Sequence, residues 1–303
     1  MRPTVSRLFL ALALIFSAAA ILLVPLPNEY RAAWTTALMD LAHLPLFALL
    51  TFGLWRWLRC RLWQAFAVGS AISIAVEFCQ PLISRTASVF DAVWGILGCA
   101  LAALFILASG RPMSRKRIAI TAVAAVALVA WPLVQTVPIV LDAYRAYRSF
   151  PVLCEFQTDL EVGRWQVAMA SLDRVKYDRT SERWAGKVRF FPCNSGESSL
   201  VLFPVVADWT GYRRFCCEFS VKGEPISLLV SIRDGEKVSK PLRRFDLLQR
   251  YDAGWHRISI DLDELARGGT FAPVHTSKVQ SIHLVSYDRS ETKTVYIHRV
   301  YLE

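Results

Sequence analysis

Residues 77–91 read EFCQPLISRTASVFD, which places two acids, a glutamine and an arginine in one short stretch. The flanking segments, LWQAFAVGSAISIAV before it and AVWGILGCALAALFILA after it, are almost wholly apolar. Ionisable groups are expensive in such surroundings unless they face one another or water. How these side chains are accommodated decides what the first half of the chain is.

Working outward, five apolar spans appear: Leu8–Leu26, Leu38–Leu58, Leu62–Ile83, Val89–Ala108 and Ile118–Leu141. Each has about the 20 residues needed to cross a bilayer. Trp55, Trp57, Trp63 and Trp131 lie towards span ends, as in an aromatic belt. The first span, with Arg2 and Arg7 before it and SAAA within it, also reads as a signal peptide; the run continuing through ILLVPL favours a retained helix. Of the 303 residues, 54% are hydrophobic. Residues 1–150 carry a net charge of +8 and residues 151–303 only +2, so the basic excess belongs to the apolar half. Those cations lie between spans rather than along one face, which argues against nucleic acid as a partner.

The cations also give an orientation. Arg2 and Arg7, then Arg56, Arg59 and Arg61, then Arg111, Arg115, Lys116 and Arg117 alternate with loops holding only Arg31 and Arg85. The positive-inside rule places the N-terminus in the cytoplasm and the chain after span five outside, although Arg145 and Arg148 weigh mildly against it. Glu77 then lies roughly 9 Å below the outer end of its span. Asp40, His43, Glu77, Gln80, Arg85 and Asp91 all belong to the outer portion of three neighbouring helices. Ser70, Ser73, Glu77, Gln80 and Ser84 share one helical face. Asp91, Gly95, Gly98 and Ala102 form a small-residue face that admits a close neighbour. Arg85 is in reach of Glu77 or Asp91.

The pattern Glu77-x-x-Gln80, Arg85, Asp91, Gly98, with His43 upstream, resembles the VanZ-like family of small bacterial membrane proteins over residues 5–145. That family is named after a glycopeptide-antibiotic resistance cluster. The resemblance implies a protein of the cell envelope in the bacterial cytoplasmic membrane. The chain departs from the pattern at Gly95, where the family carries asparagine, and at Met39-Asp40, where it carries Asp-Lys. The polar cluster has three readings: a network bracing the helices, a head-group site, or an acid–base site. One histidine and two carboxylates could also hold a divalent ion. No His-x-x-x-His or Cys-x-x-Cys spacing supports that, so no metal and no cofactor are expected.

Beyond DAYRAYRSF the long runs give way to alternation. Phe215, Cys217, Phe219 and Val221 share one side of RRFCCEFSV, and Leu228, Val230 and Ile232 one side of SLLVSIRDG. Turns are expected at Gly211, Gly223, Gly235, Gly254 and Gly268-Gly269. Such short strands predict an all-β sandwich. The fold class is thus a transmembrane helical domain over 1–145, a linker over 146–151 and an all-β jelly-roll sandwich over 152–303. DWTGYRRFCCEFSV, SIRDG, AGWHRISIDLDEL and the closing TVYIHRVYLE resemble the galactose-binding-like jelly rolls of carbohydrate-binding modules. That resemblance implies stacking of sugar rings on exposed aromatics, for which Trp165, Trp184, Tyr212, Tyr251 and Tyr287 are candidates; Trp209 and Trp255 read as core. It also admits a structural calcium ion near Asp234 or Asp288, without any calcium-loop pattern. Cys154–Cys193 is a candidate disulfide if this half is extracytoplasmic. Cys216 and Cys217 point to opposite faces of one strand, and Cys60, Cys79 and Cys99 read as apolar packing.

The leading functional reading is a non-enzymatic envelope protein presenting a glycan-binding sandwich, with membrane lipids and an envelope glycan as partners. The alternatives are an enzyme or transporter acting on a lipid-linked saccharide or other amphiphile, and a protein–protein module of an envelope assembly.

Overall fold

The computed structural model describes residues 33–80, 88–110, 114–177, 183–193, 197–234, 243–268, 272–288 and 290–303. Four helices are long and apolar enough to cross a membrane: α1 (Ala33–Trp57), α2 (Leu62–Cys79), α3 (Val89–Ser109) and α4 (Arg115–Ser149). They coincide with the second to fifth apolar spans; the first lies outside the described residues. The helices begin where local chemistry dictates. Arg61 N–H donates to the Gln64 side chain at 3.0 Å ahead of α2. Ser88 caps α3, its Oγ accepting from Asp91 N at 3.4 Å.

Small residues let these helices meet. A Cβ at Gly69 would sit 2.6 Å from Thr51 Oγ1 and 2.9 Å from Cys99 Sγ. One at Gly95 would collide with Ser73 Oγ, and one at Gly98 with the Leu44 carbonyl oxygen. The small-residue face of α3 is therefore the contact face, and Asp91, Gly95, Gly98 and Ala102 are all buried. Phe47, Leu50, Leu54, Ala65, Val76 and Cys99 form the apolar core of α1–α3. The outward surface is also apolar: Val123 and Val134 on α4 are each 70% exposed. Helices that are hydrophobic all round belong in a core or in lipid.

The chain divides into two compact units, one containing Trp34–Pro138 and the other Ile139–Glu303. The second is a jelly-roll sandwich of two antiparallel sheets, with the last turns of α4 as part of the same unit. Its strands are β1 (Val152–Cys154), β2 (Trp165–Ala168), β3 (Ala170–Lys176), β4 (Trp184–Phe190), β5 (Ser198–Leu202) and β6 (Arg214–Lys222), then β7 (Ile226–Asp234), β8 (Arg244–Tyr251), β9 (Gly254–Asp261), β10 (Val279–Ser286) and β11 (Lys293–Leu302). A short helix, α5 (Leu262–Arg267), follows β9. The first sheet runs β3-β4-β11-β6-β9, with β1 also on β11; the second runs β2-β5-β10-β7-β8.

Alternation sets what faces the core. Phe215, Cys217, Phe219 and Val221 of β6 and Leu228, Val230 and Ile232 of β7 all lie in one inter-sheet cluster. Gly223, at φ +91°, makes the β6–β7 turn in a conformation that glycine adopts without strain. Arg164, in the 3-10 turn Asp159–Arg164, clasps Asp142 of α4 through two bonds of 2.6 and 2.7 Å. The Glu161 carboxylate accepts from the backbone N–H groups of residues 155–158.

Candidate functional site

Three helices of the first unit bring polar side chains to one buried place. His43 of α1, Glu77 of α2 and Asp91 of α3 are 1%, 6% and 4% exposed. Their ligand-type atoms all lie within 4.8 Å of one another. His43 Nδ1 faces the carbonyl oxygens of Met39 at 3.1 Å and Asp40 at 3.2 Å, so that nitrogen carries the hydrogen. His43 Nε2 then points at Glu77 Oε1, 3.6 Å away. Gln80, immediately after α2, donates from Nε2 to Glu77 Oε1 at 3.0 Å, and Ser88 N–H donates to Oε2 at 3.0 Å. Ser73 reaches across to the Ala92 carbonyl at 3.2 Å. Of the residues expected to converge, His43, Glu77, Gln80 and Asp91 do so. Asp40 contributes its backbone carbonyl to His43, and Arg85 lies outside the described residues.

The aromatic candidates of the sandwich divide by strand phase. Trp165 is only 6% exposed; it stacks on Phe156 at 6.2 Å and its indole N–H donates to Cys154 Sγ at 3.5 Å. Tyr251 is 5% exposed, in line with inward Phe245 and Leu247 of β8, and meets Phe219 edge-on at 5.0 Å. Burial pushes its hydroxyl up to about 12. Neither ring has a face free for a sugar. Trp184 has the Arg174 guanidinium 3.4 Å from its ring centroid, and Tyr212 packs edge-on against Phe150 at 5.2 Å. Tyr287 is exposed at 43%.

Trp209 is fully buried, as expected, and stacks on Phe215 at 5.9 Å. Trp255 is the reverse: it is 58% exposed, because Ile258 and Ile260 take the inward phase of β9 and leave odd-numbered positions outside. The expected Cys154–Cys193 disulfide is not formed; both cysteines are free, and Cys154 sits in the core under the Trp165 indole. Burial raises the Cys154 and Cys217 thiols to about 12. Asp234 accepts from His275 N–H at 2.8 Å and faces His275 Nδ1 at 3.0 Å. Among the described residues, His43, Glu77 and Asp91 are the group of histidine, cysteine and acidic side chains close enough to share an ion.

The outward face of the second sheet carries a polar array that single-strand reading missed. Register places His283 of β10 opposite Ser231 of β7, and Ser231 opposite Asp246 of β8. The next outward row is Ser281, Arg233 and Arg244. Arg233 Nε donates to Ser231 Oγ at 3.2 Å, which lays its guanidinium back over the middle of the face. Arg244 Nε lies 3.1 Å from Asp246 Oδ2. Tyr287 donates to Glu197 at 3.3 Å. Burial, and then the neighbouring Arg244, hold Arg233 below the usual arginine range. Burial, then Arg233 and Arg244, hold His283 down to about 4, so it is neutral at pH 7. Tyr287 is raised by burial and by the charge of Glu197. The signal was present in the sequence: once Leu228, Val230 and Ile232 face inward, Ser231 and Arg233 must face outward.

No family model and no curated protein matches the chain. The chain is similar to solved structures over its β half. A family 11 carbohydrate-binding module from Clostridium thermocellum, in complex with a β-1,3-1,4-mixed-linked tetrasaccharide, shares 15% identity over 50% of this chain and 93% of its own, with a TM-score of 0.41. A family 30 carbohydrate-binding module shares 15% over 46% of this chain and 91% of its own, with a TM-score of 0.35. An exo-β-agarase shares 12% over 50% of this chain and 25% of its own, with a TM-score of 0.40.

Proposed function

We propose that this chain is a VanZ-like, multi-pass protein of the bacterial cytoplasmic membrane that presents a glycan-binding β-sandwich outside the cell. Four membrane-length apolar helices and the alternation of basic loops support the membrane reading and its orientation. The observation that carries the glycan reading is the array on the outward face of the second sheet. Two guanidinium forks offer rows of donors to hydroxyl and ring oxygens. The Asp246 carboxylate offers an acceptor; its Oδ1 is buried without a hydrogen bond among the described residues. A buried polar atom of that kind is costly unless a partner reaches it. Tyr287 adds an exposed ring as an apolar platform beside them.

The test is glycan-array and calorimetric binding with the full-length protein in nanodiscs. Arg233→Met and Tyr287→Ala should each weaken binding by about tenfold, the worth of roughly one hydrogen-bonded or stacked contact. Trp255→Ala, on the outward face of the other sheet, should leave it unchanged. An array without hits, or hits indifferent to both substitutions, refutes the reading. Labelling of introduced cysteines in intact cells should find residues of the sandwich accessible from outside.

A second reading, action on a lipid-linked saccharide or other amphiphile, is favoured by the His43–Glu77–Asp91 convergence. It requires the cellular phenotype to disappear in a folded Glu77→Gln, Asp91→Asn double variant.

A further inference from the structure

We propose that the outward face of the second sheet takes an acidic glycan, with one carboxylate or phosphate ester of the sugar seated on the Arg233 guanidinium. This rests on the glycan reading of that face and narrows it to one class of sugar. Arg233 of β7 stands directly opposite Arg244 of β8. Like charges directly opposite in an antiparallel pair are unfavourable. Both side chains are half-buried, so solvent and salt screen them incompletely. The nearby acid Asp246 lies on Arg244, whose Nε is 3.1 Å from Asp246 Oδ2. Arg233 makes a different bond: its Nε donates to the uncharged Ser231 hydroxyl at 3.2 Å. Among the described residues, Arg233 has no acid within ion-pair distance, and its two terminal nitrogens make no hydrogen bond to the protein.

The other neighbours compensate that charge only in part. Ser281, opposite Arg233 on its other side, is bonded to His283 Nε2 at 2.9 Å. His283 is neutral at pH 7, held so by burial and by the two arginines. Glu197 stands exposed at the rim, where the Tyr287 hydroxyl donates to it. Asp246 and Glu197 favour the charged form of Arg233, but burial and Arg244 oppose it more strongly and hold it below the usual arginine range. The group that would relieve this is an anion. A guanidinium fork matches a carboxylate or a phosphate with two parallel N–H bonds, each about twice as strong as a bond between neutral groups. Half-burial strengthens such a pair further, because the effective dielectric is lower there than in water. A neutral sugar would find donors and acceptors on the same face but would leave the two opposed cations as they are.

A glycan array probed with the full-length protein in nanodiscs of zwitterionic lipid tests this. The array pairs uronate oligosaccharides with their carboxyl-reduced forms, and phosphomannan oligosaccharides with their dephosphorylated forms. The expected result is an acidic member bound about tenfold more tightly than its neutral counterpart, the difference between a charge-assisted and an ordinary hydrogen bond. Which pair shows the difference tells carboxylate from phosphate. The preference should vanish in Arg233→Met and be partly kept in Arg233→Lys, which retains the charge without the fork. The comparison of paired ligands uses the unmodified chain, so it decides the question even if a variant misfolds. Neutral members bound as tightly as acidic ones overturn the acidic class and leave the glycan reading standing; an array without hits removes both. Acidic binding that is matched by dextran sulfate and indifferent to Arg233→Met is general attraction to polyanions, and also overturns the proposal.

Discussion

Removing the Arg164 side chain tests how α4 and the sandwich are joined within the second unit. Its guanidinium makes two parallel bonds to Asp142, at 2.6 and 2.7 Å, and a third at 3.0 Å to the Leu153 carbonyl. The Arg164 and Asp142 side chains are only 11% and 7% exposed. Burial pulls Arg164 down, but its bonds and charge pairing with Asp142 outweigh this and hold it above the usual arginine range. Breaking a buried pair from one side leaves an uncompensated charge and costs about 3–5 kcal/mol. For a unit of this size each kcal/mol is worth roughly 2–4 °C, so Arg164→Met should lower the melting temperature by about 6–20 °C. Asp142→Leu should cost a similar amount. The double variant should recover part of the loss, because the Asp142 and Arg164 charges leave together while Glu161, 3.9 Å from the guanidinium, keeps its backbone N–H donors. Calorimetry and urea unfolding of the full-length protein in nanodiscs give the three values and hence the coupling. If either single substitution costs less than about 1 kcal/mol, the range of an exposed pair, then the clasp is a surface contact and the reasoning fails.

Two further predictions concern the helix packing and the sheet face. Gly98→Ala puts a methyl group against the Leu44 carbonyl oxygen, so α1 and α3 must separate at a cost of about 1–3 kcal/mol; an unchanged thermal midpoint in nanodiscs would contradict the close approach. His283 titrates near 4 in the folded protein and near 6.5 when unfolded. Between those values the unfolded chain binds more protons, so stability is highest above about pH 6.5 and declines as pH falls towards 4. The loss is at most ~3 kcal/mol before solvent screening. In His283→Gln that segment of the stability–pH curve should flatten, and a curve matching the parent's would show that His283 is not the group responsible.

What could be read in the sequence followed from how far each signal reaches along the chain. Spans two to five and the inward sets on β6 and β7 are patterns of period 3.6 and period 2, each complete within one element. The phase of a strand is harder when a large ring stands at its end. Trp165 and Tyr251 are terminal residues of β2 and β8, and Trp255 is the second residue of β9. Only the strand interior fixes which of them turn inward, as Ile258 and Ile260 do for β9. The Arg233, Arg244, Asp246 and His283 array needs one step more, because its members come from three strands whose order in the sheet is β10-β7-β8.

The helical cluster shows the same limit from the other side. A histidine and two acids, each in an apolar run, announce that each needs a polar partner, since lipid supplies none. Metal-site patterns such as His-x-x-x-His are visible because two ligands share one helix. Here each of His43, Glu77 and Asp91 comes from a different helix, and what unites them is the close approach allowed by Gly95 against Ser73 and Gly98 against Leu44. The glycines are therefore as much a part of the cluster as its polar side chains. Widening the α1–α3 contact at Gly98 should loosen the three-sided arrangement of His43, Glu77 and Asp91 without touching any of them.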